Sequence, residues 1–149
     1  MTSFVELIAQ AKVEKDFQGL SVAIPYHDYL GIQLREEEGE LVTVLPQNDK
    51  LIGNPMLPAI HGGVVGAFLE TTSILHLLWT GQTLHVPKTI TITVDYMRSA
   101  APVETFARGT ITKLGSRVAN VRAHAWQDDP ERPVAAANAN FLIQPTEVE

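Results

Sequence analysis

The chain has no cysteine among its 149 residues. That excludes disulfides, thiolate nucleophiles, iron–sulfur clusters and thiolate zinc sites together. It also lacks a surplus of positive charge: 11 Lys and Arg stand against 17 Asp and Glu, for a net charge of -6. Without a basic footprint, neither nucleic acid nor an anionic membrane is an expected partner. The histidines are His27, His61, His76, His85 and His124, and none stands at a metal-ligand spacing such as His-Glu-x-x-His. No metal is expected. A Gly-x-Ser-x-Gly elbow is missing, as are the Gly-rich nucleotide fingerprints. No apolar run reads as the roughly 18 to 20 residues of a membrane span. The first residues lack the basic stretch and apolar core of a signal peptide, so a cytoplasmic location is expected.

What is present is concentrated in one stretch. Between Lys50 and Lys88 the only formal charge is Glu70. It sits in His61-Gly62-Gly63-Val64-Val65-Gly66-Ala67-Phe68-Leu69-Glu70, the most apolar and glycine-rich helix candidate of the chain. A buried carboxylate is costly unless paired or hydrogen-bonded. Such a lone group points to chemistry; the alternative is that it reaches the helix edge or pairs with an arginine such as Arg98.

The length fits a single domain over residues 1–149, with residues 1–30 as an N-terminal extension. In that extension Ser3-Phe4-Val5-Glu6 reads as a capping box and predicts a helix over 4–15, with irregular chain over 17–30. Ile32–Leu34 and Leu41–Leu45 read as strands around an acidic tip at 36–40. Residues 46–60, with Pro46, Gly53, Pro55 and Pro58, read as loop. The segment 61–80 reads as a buried central helix stopped by Gly81. From Lys88 the period becomes two: Thr89, Thr91, Thr93 and Asp95 alternate with Ile90, Ile92, Val94 and Tyr96, as a strand with one buried face requires. Further strands are expected over 103–113, 117–127 and 134–143.

One face of the last two strands is small: Ala119, Val121, Ala123, Ala125, and Ala135, Ala137, Ala139, Phe141. Such a face lets a sheet curl round a bulky element. The expected fold is α+β, an antiparallel sheet wrapped around one long helix.

On the central helix, Gly63, Gly66, Ala67, Ser73 and Ile74 share the side of Glu70. Glycines there cost helix stability and leave room for a ligand or another backbone. The helix start offers unpaired N–H groups and a positive dipole end, suited to a developing oxyanion. His61 lies nine residues from Glu70, on the opposite side, so a structural or polarising role is favoured over an acid–base one.

His61-Gly62-Gly63, a carboxylate nine residues after the histidine, and a Tyr96-Met97 strand resemble the hotdog-fold thioesterases, in particular the phenylacetic-acid-degradation and 4-hydroxybenzoyl-CoA thioesterase group. The resemblance implies an acyl-CoA substrate, coenzyme A being part of that substrate with no further cofactor, and a homodimer or homotetramer. It implies Glu70 as nucleophile or general base and the Gly62 N–H, beside Gly63, as polariser of the thioester carbonyl. Thr89 would position water or the acyl group, and Lys113, Gly115, Ser116 and Arg117 would contact coenzyme A. The family's Asn or Gln six residues before the histidine is replaced here by Pro55, with Asn54 one place earlier. Two other activities remain open: a hotdog-fold dehydratase or hydratase of acyl thioesters, and a non-catalytic acyl-CoA binding domain.

Overall fold

A computed structural model describes residues 2–81 and 83–144. Helix α1 (Phe4–Glu14) starts as expected, with Ser3 Oγ accepting from the Glu6 N–H and Glu6 accepting from the Ser3 N–H. The segment expected to be irregular forms two short helices instead, α2 (Phe17–Val22) and α3 (Pro25–Leu30). Asp16 caps the first and Pro25 stands in the first turn of the second, both ordinary helix-start devices. Ile8, Ala11, Phe17 and Leu20 of α1 and α2 are buried in one cluster with Leu77, Leu78 and Phe141.

Strands β1 (Gln33–Glu37) and β2 (Glu40–Leu45) form a hairpin whose turn is only Glu38-Gly39. Both turn residues have positive φ, 52° and 80°, as a two-residue turn matched to strand twist demands. Residues 46–60 are not simple loop. They hold a 3-10 turn at Asp49–Leu51 and a small hairpin of β3 (Ile52–Asn54) and β4 (Ala59–Ile60).

Helix α4 (Gly62–Thr80) follows, capped by His61 and ended at Gly81. With 19 residues it is long and apolar enough to cross a membrane by length and composition, which corrects the reading that no segment is. Its apolarity has another cause: 56% of its most apolar window is buried inside the fold.

The remaining strands are β5 (Lys88–Tyr96), β6 (Thr105–Leu114), β7 (Val118–Trp126) and β8 (Ala135–Leu142). With β1 and β2 they make a six-stranded antiparallel sheet in the order β1-β2-β6-β7-β8-β5. The alanine faces of β7 and β8 are buried, and α4 lies across β6, β7 and β8. This is the hotdog fold, a sheet wrapped round a long helix. A buried hydroxyl pair, Thr43 and Thr72 at 2.6 Å, ties β2 to α4.

β5 departs from expectation. It was read as a strand with one buried face, yet its inward residues Ile92 and Val94 are only half-buried and Ile90 is 53% exposed. The reason is position: β5 is the edge strand beside α4, paired on one side to β8.

Candidate active site

The site begins at the entry to α4. His61 is the residue before the helix, and its ring Nδ1 accepts the Gly63 N–H at 2.8 Å. The ring thus caps the helix start. Its backbone is held from below, the His61 N–H donating to the Leu51 carbonyl at 2.8 Å. At Gly53 of β3 a Cβ would lie 2.6 Å from the His61 Cα, so only glycine lets these two backbones approach. The sequence reading missed Gly53, counting it only as a loop former.

Gly62 opens the helix. Its N–H has no partner among the described residues, as expected for a group with no preceding turn to bond. Its carbonyl accepts from the Tyr96 hydroxyl at 2.6 Å. Around it is an open cleft of about 350 Å³, lined by Ile60, Gly62, Tyr96, Arg98, Ser99 and Val134 among others.

The glycine flank is not the vacant space the sequence suggested. A Cβ on Gly66 would meet the Tyr96 hydroxyl at 3.3 Å and Val94 at 3.7 Å; one on Gly62 would meet the Tyr96 ring at 3.5 Å. These glycines admit β5, chiefly Tyr96, against the helix.

Glu70 lies eight residues beyond Gly62, about 12 Å along the axis at 1.5 Å per residue. It is half-buried rather than buried, and its carboxylate has no ion pair or hydrogen bond among the described residues. The suggested partner Arg98 stands in the cleft at the helix start, a different level. Within one chain, Glu70 and the Gly62 N–H therefore do not reach the same carbonyl.

Asn54 ends β3 opposite Ala59, near the cleft wall. Its side-chain oxygen accepts the Met56 N–H at 2.9 Å, so it shapes the Pro55-Met56 turn. Thr89 is at the other end of β5 from Tyr96, about 23 Å away at 3.3 Å per residue. Lys113, Gly115, Ser116 and Arg117 form the β6–β7 hairpin at that same end, since Val118 pairs with Leu142 and Leu142 with Lys88. Gly115 closes the turn by donating to the Val118 carbonyl at 2.9 Å. The chain thus gathers its predicted residues at two ends of the sheet: His61, Gly62, Gly63 and Asn54 at one, Thr89 and the cationic hairpin at the other.

The remaining histidines bear on packing. His76, on α4 against Gly109, is pushed below the usual histidine range by burial, with Glu40 opposing. His124 is lowered by burial and by the Arg108 guanidinium, and it stacks on Trp126 on the outer face of the sheet.

The chain is a hotdog protein, a long helix cradled in an antiparallel sheet, with a free N–H at the helix start and a lone carboxylate two turns on. The Thioesterase superfamily model matches residues 57–134, more than half of the chain, and the chain belongs to that family. A medium/long-chain acyl-CoA thioesterase of Escherichia coli, YigI, is 23% identical over 134 residues, covering 80% of this chain and 86% of the relative. A solved Chromobacterium violaceum protein is 37% identical, with a TM-score of 0.77 over 97% of this chain and 99% of its own. A Bacillus halodurans protein solved with CoA is 19% identical and shares the fold, with a TM-score of 0.71 over 97% of this chain and 91% of its own.

Proposed function

We propose that the protein hydrolyses acyl-CoA thioesters at a site built from two copies of the chain. The observation that carries this is the separation within α4: Gly62, whose N–H has no partner among the described residues, lines the cleft, while the unpaired Glu70 lies about 12 Å further along the same helix. Beside both runs β5, an edge strand with one unpaired side. Unpaired edges invite pairing with another chain. Antiparallel pairing of two β5 strands about a two-fold axis brings the Thr89 end of one copy to the Gly62 end of the other. It also sets the half-buried Glu70 side of one helix toward the helix start of its mate.

In that arrangement the Gly62 N–H and the positive helix end polarise the thioester carbonyl. Glu70 of the second copy attacks the carbonyl carbon or takes a proton from the attacking water. The C–S bond breaks and the CoA thiolate leaves and is protonated; the acid is released directly where water attacked, or by water hydrolysing the acyl–Glu70 anhydride where Glu70 attacked. Lys113 and Arg117 suit the phosphates of coenzyme A. Thr89 orients water or the acyl group. Asn54 contributes the NH2 of its side chain, its oxygen being committed to the turn.

A panel of aromatic, short and long acyl-CoA substrates tests the activity; inertness toward all of them overturns it. The shared site is tested by mixing two inactive variants, Glu70→Gln and Gly62→Pro. Proline is tolerated at the first helical position and removes the N–H, its Cβ falling at ordinary contact distance, 3.5 Å, from the Tyr96 ring. Heterodimers carry one intact site, so mixing restores hydrolysis. No recovery in mixtures shown to exchange chains argues for a site within one chain. Retained acyl-CoA binding without turnover, in wild type as in Glu70→Gln, favours the binding domain instead.

A further inference from the structure

The Gly62-Gly63 peptide is pinned at both ends by side chains. Its carbonyl accepts from the Tyr96 hydroxyl at 2.6 Å, and its N–H donates to His61 Nδ1 at 2.8 Å. The peptide just before it, His61-Gly62, carries the N–H that has no partner among the described residues, and Gly62 lines the cleft. Two successive glycines impose little restriction on rotation, and the first-turn N–H groups have no intrahelical acceptors; the carbonyl of the His61-Gly62 peptide accepts from the Val64 and Val65 N–H groups at 2.9 and 3.1 Å. The helix backbone thus holds the peptide that bears the Gly62 N–H, and the two side chains hold the next one, which seats the helix start against β5.

Packing alone does not account for Tyr96. It is 56% exposed on the edge strand, and only its ring edge and hydroxyl touch the glycines. The flank at Gly66 is shaped to its oxygen, which a Cβ there would approach to 3.3 Å. We propose that Tyr96 is a positioning residue: its hydroxyl, together with the His61 ring, fixes the Gly62-Gly63 peptide plane and so seats the helix start, which carries the Gly62 N–H, beside the reacting carbonyl. The contact spans 34 residues and joins the end of β5 to the start of α4. Because β5 is also the edge that pairs in the proposed dimer, seating that edge and aiming the oxyanion donor become one event.

This role rests on the thioesterase reading for its kinetic arm, and has a second arm that does not. Tyr96→Phe keeps the ring against the glycines and removes only the hydroxyl. In the isotopically labelled, ligand-free protein, the Gly63 amide should exchange with solvent about tenfold faster, because its peptide, released at the Gly62 carbonyl, holds the Gly63 N–H less firmly on His61. On the best acyl-CoA substrate, kcat should fall about tenfold with KM within about twofold, less than the loss of a direct oxyanion donor. A ring that merely packs predicts no change in either quantity. Gly63 exchange unchanged in the variant overturns the clamp, and so does faster exchange with an unaltered kcat. Should wild type hydrolyse nothing, the thioesterase reading falls while the exchange rate still decides the clamp.

Discussion

At the scale of single residues, the most informative side chain is one that is absent. Gly53 carries nothing, and its Cα hydrogen side faces the His61 backbone; an added Cβ would sit 2.6 Å from the His61 Cα and 2.7 Å from its Cβ. Backbone cannot swing aside as a flexible side chain does. Gly53→Ala should therefore destabilise the protein by roughly 1–3 kcal/mol, the usual range for overpacking, and misplace the helix cap. Urea denaturation measures the first effect and kcat the second; wild-type stability would show that the β3–β4 hairpin yields freely. Glu70 was legible as an isolated charge, since sequence alone shows 36 uncharged neighbours across residues 51–87. Its surroundings were not. Arg98 was a reasonable partner by charge, yet it stands by the helix start, because Arg98 follows Tyr96 and Tyr96 is bonded to Gly62.

At the scale of elements, α4 and the two alanine-lined strands carry the fold. Ala119, Ala123, Ala125, Ala135, Ala137 and Ala139 are all buried, which places the helix close against the sheet. Ala123, 3% exposed, belongs to the core cluster with Phe68, Leu69 and Leu75. Ala123→Leu should cost about 2 kcal/mol by forcing the helix off the sheet, with the added apolar area too small to offset the clash. A thermal midpoint equal to wild type would mean that the interface holds spare volume. These strands were readable because small inward residues recur at period two within one continuous segment. The short helices α2 and α3 were not read, since a helix of 6 residues shows hardly more than one turn of periodicity. Their start signals, Asp16 and Pro25, were the only local evidence. The β3–β4 hairpin was hidden behind Pro55 and Pro58, which fall in its turn.

For the whole molecule, the decisive feature is an unfinished edge. β5 runs 9 residues along the side of α4 and leaves Ile90 and Tyr96 largely exposed. The two halves of the candidate site lie at opposite ends of this strand. In the proposed dimer a two-fold partner would cover the edge and unite them, so dimerisation and activity should fail together. Ile90→Lys adds a charge on the open edge, a device by which natural sheets discourage pairing. The variant should sediment as a folded monomer and lose at least about tenfold in turnover, since each copy then holds half a site. A monomer with full activity would refute the shared site; a dimer with full activity would place the contact elsewhere.

Local pattern along the chain sufficed for the long elements and for which residues are chemically available. Period and composition are local properties, so the central helix, the β-strands and the isolation of Glu70 could be read along the chain, and the His-Gly-Gly start pointed to the thioesterase superfamily. Only the tertiary structure decided who meets whom. It put Tyr96 rather than open space against the glycines, set the cationic hairpin at the far end from Gly62, and left β5 at an edge instead of under the helix. Those outcomes depend on strand order and on contacts between residues tens of positions apart, and neither leaves a mark in local pattern.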